Sequence, residues 1–511
     1  MSYLQLLGLA APETVLAVTA LVVLGVDLLG LHELEHKFRR IICAMISSVG
    51  CLVAIAWMVA FPQHANAGEG IFVLTPMIQF MKVSLLVLAM LTIVLTIDTD
   101  FTSHIGEFFA LILLATLGML FLVSSEDVLM IFISLELTSL SLYILTAFNK
   151  RNVKSAEAAM KYFLFGGMAA AFTLFGLSLL YGMSGTTNLA GIAKAVGEKA
   201  VTVVTAGGVT RNQVDPMAIM AIVMTVIGFG FKIAAVPFHL WAPDAYEGAP
   251  TPAAALIASG SKVASFFVFA KVMAIGFAGV EGSAAWRSFL PGWAPVIAVL
   301  AAVSMVLGNL AAIVQSSVRR LLAYSAIAHA GYMLLGILAD NRQGLSSLIY
   351  YVVTYGLTSV GAFGVVSVVQ QQAGNDNLSS FAGLSRRAPV LSFCMLIFML
   401  SLAGIPPLAG FFGKFYLFAA AAGTDPARLG SLWLVILAIA MSAVSLYYYI
   451  QILKQIYVAP APAHPESGSA ARAPVISEVV LALVALAVVI FGCIPSLLLN
   501  RLIETIHIAI K

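Results

Sequence analysis

Two stretches decide how the rest of the chain is read: Gly228-Phe-Gly-Phe-Lys232-Ile-Ala-Ala-Val-Pro237-Phe-His239 and Gly404-Ile-Pro406-Pro407-Leu-Ala-Gly410-Phe-Phe-Gly413-Lys414. Each lies inside a long apolar run, combines helix-breaking Gly and Pro, and carries one lysine beside the break. A loop with Pro243, Asp244, Glu247, Pro250 and Pro252 follows the first. Paired broken segments of this kind point to repeated halves of a transporter, with sites near the middle of a membrane.

The composition agrees with a membrane setting. Of 511 residues, 61% are hydrophobic and 10% charged, against roughly 45 to 50% and about 25% in ordinary globular domains. The mean hydropathy is +1.03. A globule of this size would leave more apolar surface in water than soluble proteins tolerate, so the solvent around the chain is lipid. A soluble enzyme, a nucleic-acid binder and a disordered scaffold are thereby excluded. The net charge of +3, from 26 basic and 23 acidic residues, supplies no basic field for phosphate backbones, so no nucleic acid is expected as a partner. Cys43, Cys51, Cys394 and Cys493 lie in apolar runs without CxxC spacing and read as inert thiols, leaving no ligand set for zinc or an iron-sulfur cluster.

Apolar runs of roughly 20 residues bounded by charge or turn clusters predict fourteen spans. They lie near 14–30, 41–61, 77–97, 107–123, 128–148, 156–182, 216–240, 252–278, 289–312, 320–339, 345–370, 389–420, 430–456 and 475–497. The runs do not alternate apolar with polar, so the expected class is an all-α polytopic membrane protein rather than a barrel. The two broken segments are each the fourth span of a five-span block. Five is odd, so the second block starts on the opposite face and the repeats are inverted. The expected division is 1–106, a three-helix segment; 107–278 and 289–456, the two repeats; and 475–511, a last helix and tail.

The N-terminus lacks the positive region of a secretory signal, so the first run reads as a retained span. One set of alternate loops holds twelve basic residues: Lys37, Arg39, Arg40, Lys150, Arg151, Lys154, Arg319, Arg320, Arg386, Arg387, Lys454 and Arg472. The other set, with the tail, holds eight: Lys194, Lys199, Arg211, Arg287, Arg342, Arg428, Arg501 and Lys511. The richer set is predicted cytoplasmic, which puts both termini on the periplasmic side of a bacterial inner membrane.

The other basic residues, Lys82, Lys161, Lys232, Lys262, Lys271 and Lys414, fall inside predicted spans. A lysine at the centre of a membrane helix costs about 2.5 to 3.5 kcal/mol on insertion scales, and is a functional-site hypothesis by default. Glu136 sits in the middle of its own apolar run, Lys232 precedes the first break, Lys262 follows Ser259-Gly260-Ser261, and Lys414 closes the second break. One carboxylate and three amines at similar depth form a set that could pass a proton along the midplane through water. Burial favours a neutral amine and a nearby carboxylate favours the ammonium, so a Glu136 and Lys232 pair is a candidate switch. The competing reading makes the set structural ion pairs. Lys82 and Lys271 lie towards span ends and read as snorkelling to the surface. Lys161 has Glu157 one turn earlier as a simple partner, yet stays a candidate for the relay. His239 and His329 lie at membrane depth and titrate near neutrality, which makes them further candidates. Asp244 and Glu247 read as loop residues at the cytoplasmic mouth of the first break. There is no GxGxxG after a strand, no P-loop, no nucleophile elbow and no haem-type CxxCH, so the chain is expected to hold no cofactor.

The segments SLELTSLSLY at 134–143, 156–167 with Lys161, FKIAAVPFHLWAPDAYEGAPTP at 231–252, GSKVA at 260–264 and above all GIPPLAGFFGKFYLF at 404–418 resemble the antiporter-like membrane subunits of respiratory complex I, the proton-pumping NADH:quinone oxidoreductase. The resemblance runs from about the fourth to the thirteenth span. It implies a proton path through Glu136, Lys232, Lys262 and Lys414, with Lys rather than Glu at 414 marking one branch of the family. The short tail after the last span departs from another branch, which carries a lateral helix. It also implies partners: neighbouring antiporter-like subunits and the other membrane and peripheral subunits, with flavin and iron-sulfur clusters in those partners. A subunit of a multi-subunit cation/proton antiporter is the alternative, and a structural spacer a third reading. The loop at 183–215 is longer than the family leads one to expect.

Overall fold

The computed structural model describes residues 3–31, 33–198, 201–204, 210–286, 288–424, 430–460 and 474–509. Lys199, Arg287, Arg428, Arg472 and Lys511, which enter the loop count, lie outside the described residues.

Among the described residues thirteen helices are long and apolar enough to cross a membrane. In chain order they are spans one to eight, Ala11–Leu29, His36–Ala60, Pro76–Thr96, Ile105–Ser124, Val128–Thr146, Val153–Ser184, Pro216–Ile233 and Thr251–Gly276; spans nine to eleven, Trp293–Ile313, Val318–Leu338 and Arg342–Ala373; and Leu432–Tyr457 and Val475–Cys493. The twelfth span is assembled from two shorter helices, Pro389–Ala403 and Ala409–Ala422. Leu432–Tyr457 and Val475–Cys493 are then the thirteenth and fourteenth, in the predicted order. The seventh is also broken, resuming after a turn as Trp241–Gly248. The expected α class holds for the membrane body, while among the described residues three short hairpins occupy loops: Ala65–Ala67 with Phe72–Leu74, Val201–Val204 with Thr210–Gln213, and Ser283–Ala285 with Ser288–Leu290. Span parity puts all three on the face that carries the termini.

Local chemistry sets many of the helix starts. Thr75, Asp127, Asn152, Asp215, Ser317 and Asn341 each accept a backbone N–H of the first turn through the side chain.

The two five-span blocks repeat one another in detail. The start of the fifth span is tied to a later loop by Val128 N–H to Thr187 O and Leu189 N–H to Glu126 O. The tenth is tied in the same way by Val318 N–H to Asp376 O and Leu378 N–H to Ser316 O. The breaks match as well. Ala234 and Gly404 end their helices in the left-handed region, at φ 58° and 86°. The next residue bonds back in both, Ala235 N–H to Gly230 O at 2.8 Å and Ile405 N–H to Leu400 O at 3.0 Å. Val236-Pro237 and Pro406-Pro407 are both cis.

Burial divides the spans into centre and rim. The most apolar stretches of the eighth and eleventh are 100% buried and that of the tenth 94%, whereas those of the sixth, thirteenth and fourteenth are 33% buried. Side chains of the central three therefore meet one another rather than lipid.

Two sequence expectations are corrected here. Lys82 and Lys271 do not snorkel: Lys82 is 0% exposed and Lys271 8%. Each found a carboxylate inside the protein, Lys82 with Glu13 at 2.6 Å and Lys271 with Glu126 at 3.3 Å. The first span packs over Lys82 and closes its path to the surface, while the loop before the fifth span lays Glu126 against Lys271.

Candidate functional site

The site is a set of polar side chains in the apolar centre, in two groups. It begins on the fifth span, where Glu136 is half-buried beside a lateral stripe of exposed Leu129, Ile133, Leu140 and Ile144. One turn on, Ser139 donates to Leu135 O and accepts from Lys232 Nζ. Lys232 is thus bonded to a hydroxyl rather than to Glu136, although the carboxylate is near enough for its charge to act on the amine. The ammonium stands 5.7 Å from the centre of the Tyr143 ring, and the Tyr143 hydroxyl fills the space left by Gly166 on the sixth span. The break after Lys232 is closed by neutral donors and acceptors: Trp241 Nε1–H donates to Phe231 O at 2.9 Å, and Val236 N–H to Ser304 Oγ at 2.9 Å. The Trp241 ring lies stacked on Tyr162, centroids 4.1 Å apart.

Lys262 is 2% exposed and donates to Ala326 O on the tenth span at 2.5 Å, with the Tyr355 ring 5.7 Å away. One turn along the tenth span, His329 is held from both ring nitrogens: Nδ1 is 2.7 Å from Tyr351 Oη and Nε2 3.1 Å from Tyr449 Oη. Tyr449 in turn pairs with Ser325 at 2.5 Å. Tyr355 and Tyr332 complete the cage, ring centroids 4.9 and 5.6 Å from the imidazole. On the far side of Tyr332, Lys414 is 4% exposed, with its Nζ 5.1 Å from that ring. Its three donors find three acceptors, Leu402 O and Ala403 O at 3.0 Å and Ser442 Oγ at 2.9 Å. Asn309 anchors this end by donating to Tyr332 Oη at 2.9 Å and accepting from Tyr448 Oη at 3.0 Å. The charges of both Lys262 and Lys414 act on His329. Among the described residues no carboxylate pairs with Lys262 or Lys414.

Of the residues singled out from sequence, the fold brings Lys262, His329 and Lys414 into one set and places Glu136 and Lys232 together in another. It does not bring His239 in: the ring is buried, Nδ1 has no partner, and no bond links it to the row. Lys161 is also elsewhere. Its side chain is 37% exposed and bridges Glu157 at 2.6 Å and Asp244 at 2.8 Å. Asp244 also meets Arg320 at 2.7 Å, and Glu247 joins Arg320 at 3.1 Å to Lys154 at 2.8 Å. This network fastens the resumed half of the seventh span to the sixth and tenth, so Asp244 and Glu247 are clasp residues of the break. Arg320 escaped notice because it read as an orientation charge. The signal was its place three residues after Ser317, whose side chain caps the helix by accepting the Arg320 backbone N–H. Next to it, Arg319 and Asp376 are 3.2 Å apart. Burial by itself would raise the Asp376 carboxyl, but the Arg319 guanidinium and the Ser317 hydroxyl outweigh it and hold the group below its ordinary value.

Groups of three or more His, Cys, Asp or Glu able to hold a metal ion do not occur among the described residues. The arrangement can move charge: amines, an imidazole and phenols lie in hydrogen-bonding or ring contact in a low-dielectric interior, where the charge of Glu136 is felt by Lys232 and those of Lys262 and Lys414 by His329.

A family model described as NADH:quinone oxidoreductase/Mrp antiporter, TM, matches residues 125–444. The chain is 50% identical over 510 residues to NADH-quinone oxidoreductase subunit N 2 of Acidobacterium capsulatum, covering 98% of this chain and 99% of that one. A chain of respiratory complex I from Thermus thermophilus with bound aureothin superposes with a TM-score of 0.75 at 32% identity, covering 96% and 99%. A chain of the Mrp complex from Dietzia shares the fold, with a TM-score of 0.77 at 20% identity, covering 97% and 96%.

Proposed function

The chain belongs to the NADH:quinone oxidoreductase/Mrp antiporter transmembrane family and is a membrane subunit of a proton-translocating NADH:quinone oxidoreductase, and we propose that it carries protons along the row Glu136, Lys232, Lys262, His329 and Lys414. The observation that supports this most is that two deeply buried amines, Lys262 and Lys414, are held by neutral oxygens with an imidazole between them. Structural ion pairs would match each amine with a carboxylate, as Lys82 is matched with Glu13. An uncompensated buried charge is costly, so whether one amine is charged depends on the charge of the next. That dependence lets a disturbance at one end propagate, with Glu136 and Lys232 at the end where a neighbouring subunit acts.

In this reading redox chemistry stays in partner subunits that hold flavin and iron-sulfur clusters. The protein spans a bacterial inner membrane with both termini periplasmic, and the repeats divide at 107–278 and 289–456. Likeness to the Mrp complex supports a common fold and the family model covers both kinds of complex, while the 50% identity to an NADH-quinone oxidoreductase subunit N 2 favours the oxidoreductase reading over the cation/proton antiporter alternative.

Lys262→Ala tests the relay in membranes carrying the whole complex. Complex content stays near that of the wild type, while proton flux and the coupled quinone reductase rate fall about a hundredfold, at the low end for loss of a positioned proton carrier. Lys262→Arg rescues poorly, because a guanidinium keeps its proton at neutral pH. Full flux in assembled Lys262→Ala defeats the reading.

A further inference from the structure

On the face that carries the termini, three buried ionisable groups and one half-buried one lie outside the row. Lys271 lies nine residues beyond Lys262 on the eighth span, about 13.5 Å along the helix at the usual rise. Its Nζ donates to Ser125 O at 3.0 Å and Val123 O at 3.4 Å and lies 3.3 Å from Glu126. The Glu126 side chain is 26% exposed and that of Lys271 only 6%. Behind them, Lys82 and Glu13 form a closed pair with Phe72 against the ammonium, and the Lys82 charge acts on Lys271.

One feature joins Lys271 to Lys262, and another opens it to the terminal face. The eighth span widens into π-helical turns at Ile257–Ser261 and Val272–Gly276. The α-helical piece between them, Lys262–Lys271, therefore begins at one lysine and ends at the other. Such turns shift the helical register by about one residue and concentrate at functional sites. Second, a cavity of about 390 Å³ is lined by Glu126, Lys271, Ala274, Thr75, Asp340 and Arg342. It runs from the ion pair to exposed residues of the turn between the tenth and eleventh spans.

We infer that the Lys271–Glu126 pair is the release site of the relay on the terminal face, reached from Lys262 along the eighth span and emptied through this cavity. The inference rests on the proton-carrying reading of Lys262. The Lys262 ammonium gives up a proton through water, and the neutral Lys271 amine takes it, forming one N–H bond. That bond breaks when the proton passes to the Glu126 carboxylate and on to water in the cavity. Both amines end neutral, and no electrons change hands.

The test compares Lys271→Arg, Lys271→Gln, Glu126→Gln and Lys262→Ala in membranes carrying the whole complex, scoring complex content, quinone reductase rate and proton flux together. Arginine preserves the ion pair, and the cavity admits its larger head, but it does not release its proton. As a release site, Lys271→Arg assembles and still loses flux about tenfold or more, no better than Lys271→Gln. Glu126→Gln loses flux in assembled complex as well. Wild-type flux in Lys271→Arg overturns the inference, and so does loss of assembly in both Lys271→Arg and Glu126→Gln, since the pair is then a fastening. If Lys271→Arg pumps fully while Lys262→Ala does not, only this inference falls. If Lys262→Ala pumps fully too, the relay itself falls.

Discussion

The two broken spans share a backbone and differ in what closes them. In the seventh, Phe231 O accepts the backbone N–H of Ala234 at 3.0 Å and also the Trp241 indole, neutral donors that never change charge. Lys232 is left to turn to Ser139 on the fifth span. In the twelfth, the carbonyls freed at Leu402 and Ala403 are taken by Lys414 itself. An ammonium has three donors, and this one has three acceptors. Loss of a proton leaves two donors, so either an acceptor goes unmet or Ser442 must turn its hydroxyl round. Protonation of Lys414 is thus written into the local geometry of its break, whereas protonation of Lys232 is not. One inverted repeat has a break of fixed polarity and the other a break that senses charge.

The largest expected effect separates the two lysines. Lys414→Ala removes a carrier and the partner of two buried carbonyls, each costing roughly 1 to 3 kcal/mol when unmet. Proton flux and complex content should both drop, flux by about a hundredfold. Lys232→Ala should cut flux to a similar extent at near-normal complex content. Equal losses of content in the two variants, measured on the same membranes, would erase the distinction.

A smaller effect probes the fixed break. Trp241→Phe keeps the ring against Tyr162 but leaves Phe231 O with the Ala234 N–H as its one remaining donor, so the purified complex should lose a few degrees of thermal midpoint at most for this subunit while pumping per complex is nearly unchanged. A large fall in pumping at normal stability would show that the first break also senses charge.

The backbone itself offers a finer comparison. Left-handed φ suits glycine and costs other residues about 1 kcal/mol or more. Gly404→Ala should therefore destabilise by about that much, with its new Cβ also meeting the Lys414 side chain near 3.0 Å. Ala234→Gly should be neutral or mildly stabilising. Thermal unfolding of both variants decides it, and the same sign in both would mean that the breaks are not backbone equivalents.

The smallest effect lies at the loop ties of the blocks. Asp376 is held below its ordinary value, so it contributes stability above that ordinary value, near 3.9. The contribution is lost as pH falls through the depressed one. The difference in thermal midpoint between wild type and Asp376→Asn should be present at neutral pH and shrink as the medium is acidified below about 4. A difference independent of pH would assign it to packing.

Fourteen spans, their order, the two breaks and the lysines beside them follow from the sequence, because apolar runs and Gly-Pro punctuation act over a few residues and lipid leaves the backbone few choices. The same local signals put Lys262, Lys414 and His329 at depth. What they could not supply was direction around each helix. Lys82 and Lys271 sit as close to span ends as snorkelling residues do, and only the packing of Glu13 and Glu126 over them turned both inward. Lys161 and Lys232 are alike in sequence, one apolar run and one lysine each, yet one joins a clasp with Asp244 and the other faces Ser139. The tyrosines that cage His329 come from the tenth, eleventh and thirteenth spans, up to 120 residues away. A charge in a membrane is placed by whichever distant helix covers it, and that is settled by how fourteen spans pack, a property of the assembled chain and of no segment within it.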